Sequence, residues 1–157
     1  MSESENTATA ATVPGPAGPG RRVGEVADRV HGDHVQLSMP AESAYLSVLR
    51  TATAGLAARL DFTLDEIEDL RIAVDEACAM LLVQAIPGTS LECGFDLGPD
   101  QMTITVSVVA AGPRIPAKDT FAWTVLSALT GSVDSRLGPD DRVGIVLQKA
   151  RSLPRSG

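Results

Sequence analysis

In the stretch RIAVDEACAMLLVQA, residues 71–85, one pair of carboxylates, Asp75 and Glu76, interrupts a run of small and apolar residues. A carboxylate held inside such a run can act as an acid or base toward a hydroxyl beside it. It can equally stand on a solvated helix edge, paired with Arg71 or with a neighbour across the domain, as most helical glutamates do. Both readings stay open on these residues alone. Other groups capable of chemistry are sparse. His31, Asp33 and His34 in VHGDH have a loose metal-like spacing in a segment that reads as linker, and no metal site is expected there. Cys78 and Cys93 lie in apolar surroundings without ligand spacing, which predicts buried, reduced thiols.

The elements around these residues follow from pattern. VQLSM (35–39) alternates and stops at Pro40, as a strand would. Residues 41–60 carry Tyr45, Leu46, Leu49, Leu56 and Leu60 at helical spacing. Thr63 precedes Glu66 by three residues, a capping box, and acids fill the first turn as a solvated, dipole-favoured helix start. From there Ile67, Leu70, Val74, Ala77, Leu81 and Ala85 extend the apolar stripe to the Ile-Pro-Gly at 86–88. LECGFDL (91–97) and MTITVSVVA (102–110) alternate as a hairpin, and FAWTVLSALTG (121–131) is a third helix ended by Gly131. Phe121 and Trp123 are read as core anchors of that helix. SVDSRL (132–137) and RVGIVLQKA (142–150) close the chain as a second hairpin over GPDD. The order β-α-α-β-β-α-β-β predicts an α+β two-layer sandwich, a mostly antiparallel sheet with helices on one face.

Composition narrows the class. The chain has 157 residues, enough for one domain with a real core, expected over 35–151. The Ser-, Thr-, Ala-, Gly- and Pro-rich residues 1–34 are expected to be a disordered tail, and 152–157 a frayed end. A net charge of −7 argues against direct nucleic-acid binding and is compatible with a basic protein partner. No apolar run reaches the roughly 18 residues needed to span a membrane, and no signal peptide opens the chain, so a cytoplasmic protein is expected.

The run LSMPAESAYLSVLR, with AGLAARLDFTLDEIEDLRIAVDEAC after it, resembles the N-terminal half of the anti-sigma factor serine/threonine kinases. The resemblance covers about residues 35 to 150 and is strongest from 37 to 79. It implies the histidine-kinase-like ATPase (Bergerat) fold, ATP and Mg²⁺ as cofactors, and a homodimer. It also implies two protein partners: an alternative sigma factor, and a STAS-type antagonist whose serine the kinase phosphorylates. The position of Glu76 is then the general base, and Arg50 is the cation that meets both partners, with Tyr45, Leu46 and Leu49 beside it.

Against that family pattern the nucleotide motifs are degenerate. The magnesium-binding Asn expected four residues after Glu76 is Met80, whose thioether cannot replace an amide oxygen on a hard cation. In AAGPR, Ala110 holds the place of the adenine-reading Asp, Gly112 is kept, and Arg114 replaces the second Gly. PRIPAKDTFAW contains no glycine for a phosphate loop, and the late Thr is lost in VGIVL. These departures predict a pseudokinase: a protein that sequesters a sigma factor by contact, with Glu76, Met80, Ala110 and Gly112 as vestiges of a nucleotide site. An active ATP-dependent serine kinase and a fold-only adaptor dimer sensing another ligand are the alternatives.

Overall fold

The computed structural model describes residues 32–152. The expected tail up to residue 31 and the terminus beyond Ser152 lie outside them. Five strands form one sheet in the order β1-β2-β3-β5-β4: β1 (Asp33–Pro40), β2 (Ser90–Leu97), β3 (Gln101–Val109), β4 (Ser132–Leu137) and β5 (Arg142–Ala150). The pairs β2–β3, β3–β5 and β4–β5 are antiparallel, with Val106 opposite both Cys93 and Ile145. Three helices accompany the sheet: α1 (Leu46–Arg59), α2 (Leu64–Leu82) and α3 (Phe121–Leu129). The α+β sandwich expected from the sequence is the fold observed.

Strand alternation builds the core. Leu91, Cys93, Phe95, Met102, Ile104, Val106, Val143, Ile145 and Leu147 are all fully buried. Onto them α2 lays Leu70, Ala73, Val74, Ala77, Cys78 and Leu81, the i, i+3, i+4 stripe of an amphipathic helix. Both thiols are buried and free, and burial pushes Cys78 up to about 12, with the Asp75 charge adding to it. At Gly144 the β3 backbone comes so close that an added Cβ would lie 2.9 Å from the Val106 carbonyl oxygen.

Local chemistry sets the helix ends, and several differ from expectation. The first helix does not begin at residue 41, because the Ala41 N–H still bonds the Thr89 carbonyl at 2.9 Å and a short 3₁₀ turn, Ser43–Tyr45, intervenes. It ends at Arg59 with Asp61 in the left-handed region (φ 63°), the Asp61 N–H on Ala58 and the Phe62 N–H on Ala57. That is a Schellman motif with aspartate where glycine is usual. The capping box at Thr63 and Glu66 is present in both directions. α2 stops at Leu82 rather than Ala85, since Ile86 precedes a proline and its N–H is spent on the Val109 carbonyl.

In α3, Trp123 is buried at 7% exposure but Phe121 is 83% exposed, which corrects its expected place in the core. Two residues on a helix are about 200° apart, so both cannot face one sheet. His34 also differs from expectation. It lies on β1 rather than in a linker, with Nδ1 2.7 Å from an Asp96 oxygen and Nε2 3.0 Å from the Gln36 side-chain amide oxygen. Acceptors at both nitrogens favour the protonated ring and raise its pKa, Asp96 contributing most. His31 lies outside the described residues.

Candidate functional site

The acids of α2 are not one solvated row. Glu66 is 9% exposed and fully engaged: one oxygen accepts the Thr63 N–H at 2.7 Å, the other accepts the Ser152 N–H at 2.8 Å and the Ser152 hydroxyl. Burial pushes the Glu66 carboxyl up, but the hydrogen bonds from Ser152 and Thr63 outweigh it and hold the group below its usual range. Arg71 pairs with Glu68 at 3.4 Å, not with Glu76. Five residues along a helix place two side chains about 140° apart, whereas three bring them to one side. Glu76 is half-buried and has no hydrogen-bond or ion-pair partner among the described residues.

One turn on, Met80 lines a groove of about 300 Å³ with Val83, Gln84, Arg114, Ile115 and Pro116. The loop after β3 is fixed to the end of α2 at one point. The Gln84 side chain donates to the Arg114 carbonyl at 2.8 Å and accepts the Arg114 N–H at 3.0 Å. Ala110 is fully buried, its N–H donating to the Asp141 carbonyl at 3.0 Å, so its methyl belongs to the core. Gly112 sits at φ +68° in open space, a turn rather than a close backbone approach. Among the described residues no three His, Cys, Asp or Glu side chains converge as a metal site would need. A thioether, a doubly engaged amide and a buried methyl do not fit a magnesium-bound nucleotide, which asks for hard oxygen ligands and free backbone N–H groups.

The partner surface expected on α1 divides by helix phase. Leu49 is 0% exposed and belongs to the core with Thr53 and Ala57, which corrects its expected partner role. Leu46 is half-buried against the core, and Tyr45 is 41% exposed. Val48, not singled out from the sequence, is 53% exposed. Arg50 projects to α2, where its Nη1 lies 2.9 and 3.0 Å from the two Asp75 oxygens, both side chains about a third exposed. The sequence named both residues without joining them. Only the short turn at 60–63, which folds α1 back along α2, brings them together.

No family model matches the chain. Among curated proteins it is 36% identical over 125 residues to the serine-protein kinase RsbW of Bacillus cereus, covering 80% of this chain and 68% of that protein. It is 32% identical over 101 residues to the anti-sigma-F factor RsbW of Mycobacterium tuberculosis, covering 64% of this chain and 60% of the relative. The chain thus spans about 60% of the length of the mycobacterial relatives it matches. A crystal structure of RsbU and RsbW domains from Mycobacterium tuberculosis superimposes with a TM-score of 0.58 at 12% identity, covering 77% of this chain and 33% of that one.

Proposed function

The chain belongs to the RsbW family of anti-sigma factors and serine-protein kinases, and from that premise we propose that it binds and sequesters an alternative sigma factor, with its kinase activity lost or weak. One observation carries this reading: Met80 stands one turn after Glu76, where phosphoryl transfer needs a hard metal ligand. The resemblance to the family is strong through the α1 segment around Arg50, which supports a partner role there, and arginine is a frequent interface anchor because its planar fork pairs with carboxylates.

The mechanism is steric. A cytoplasmic dimer presents α1 to the sigma factor and covers its promoter- or polymerase-binding surface. A STAS-type antagonist competing for overlapping residues then releases it. Calorimetric titration of the full chain with Mg·ATP, and separately with each purified alternative sigma factor of the host, tests the reading. No nucleotide heat with a tight sigma complex supports it; no sigma complex with any of them overturns it.

A second reading has its own support. Glu76 is half-exposed and unpaired among the described residues, as a general base would be. Phosphorylation of the antagonist's serine by the intact chain, abolished by Glu76→Gln, would establish that kinase reading.

A further inference from the structure

We infer that Asp75 is a positioning residue for Arg50, holding its guanidinium so that the free edge receives a carboxylate of the sigma factor. The inference rests on the sigma-binding reading above and deepens it. A guanidinium carries five N–H donors on three nitrogens, and its fork-to-fork pairing with a carboxylate uses two nitrogens at once. Here Asp75 is gripped differently. Both of its oxygens are reached by Nη1 alone, at 2.9 and 3.0 Å. The Nε–Nη2 edge, the other fork, has no partner among the described residues.

A competitor for a partner acid would occupy the fork. An end-on grip leaves it open and fixes its direction. The two helices that carry the pair are held by core residues one position from Arg50 and from Asp75, Leu49 and Val74, both fully buried. Backbone positions are therefore set, and the long arginine side chain is the one free variable left for Asp75 to fix. Ordering such a side chain before binding removes part of the entropy that association would otherwise cost. The chemistry selected for is a planar anion arriving from solvent, and on a protein partner that is an Asp or Glu side chain.

The experiment is a double-mutant cycle on the full chain, with affinity for the purified alternative sigma factor that binds it read by calorimetry. Asp75→Asn keeps the shape, removes the charge, and is expected to weaken binding about tenfold, the scale of one immobilised side chain. In an Arg50→Ala background the same Asp75→Asn change is expected to have no effect, because nothing is left to orient. Equal weakening in both backgrounds means that Asp75 acts on the helix pair in general, and the inference is wrong. Unchanged or tighter binding by Asp75→Asn, with Arg50→Ala still weakening it, makes Asp75 a bystander or competitor and overturns the inference alone. No effect of Arg50→Ala removes Arg50 from the interface, and both the contact and the inference fall.

Discussion

The middle and the C-terminal end of α2 border surfaces of different chemistry. Near its middle, Asp75 faces Arg50 of α1 in a charge-assisted pair a third exposed, and the inner sides of the two helices are sealed there by Val74 and Leu49. Further on, from Met80 to the cap residue Val83, its C-terminal end borders a groove with mixed walls and, among the described residues, no metal-ligating set. One surface presents polar groups that are oriented and reachable. The other presents a thioether, a branched aliphatic and a loop fixed by Gln84. The core that supports both regions is the same sheet-facing stripe of α2, so one packed side carries two surfaces of different chemistry.

The comparison breaks first if the inner and outer sides of α1 cannot be separated. Leu49→Ala is expected to cost about 2–5 kcal/mol of stability in urea unfolding, as large-to-small core changes do, with sigma binding preserved in the folded fraction. Its neighbour Arg50→Glu is expected to do the reverse. Stability falls by only about 1 kcal/mol, since the Asp75 pair it removes is partly exposed, while sigma affinity falls by about 2–4 kcal/mol by calorimetry, as charge reversals at interface anchors do. If the two substitutions behave alike, the face is not a partner surface.

Two glutamates ten residues apart sharpen the contrast. Glu66→Gln is expected to destabilise by about 2 kcal/mol, since it weakens hydrogen bonds to a charged acceptor. Glu76→Gln is expected within about 0.5 kcal/mol of the parent. The folded Glu66 carboxyl lies below its ordinary value, so its stabilisation is present above the unfolded pKa, about 4.3. It is lost as pH falls through the folded value. A melting-temperature profile from pH 7 down to 3 should therefore be flatter in Glu66→Gln than in the parent. The helix stop gives a small effect of opposite sign. Asp61→Gly relieves a left-handed aspartate and is expected to stabilise by about 0.5–1 kcal/mol, read in the same unfolding assay.

These residues also mark where sequence reasoning reaches. The capping box was legible because Thr63 and Glu66 are three residues apart and their chemistry is local. Strand alternation and the two buried thiols were legible for the same reason. Glu66 bonding Ser152, 86 positions away, carried no local signal. Nor did the Arg50–Asp75 and Gln84–Arg114 contacts, which exist only once the chain has folded back. In YLSVLR the positions 45, 46 and 49 all fit one apolar stripe, and only packing decides that Leu49 turns inward while Tyr45 stays out. Beside Met80 the sequence showed departures from the family pattern, but not the Gln84–Arg114 contact that shapes the groove there.

The Gln84 contact has a consequence in time as well as in space. A covering loop that admits a ligand must open, and here opening breaks two hydrogen bonds at a single residue. At about 0.5–1.5 kcal/mol each, they slow the exchange of the Arg114 amide proton by roughly ten- to a hundredfold relative to an unhindered loop. That one amide is therefore a clock for the loop. It counts how often the loop leaves the end of α2.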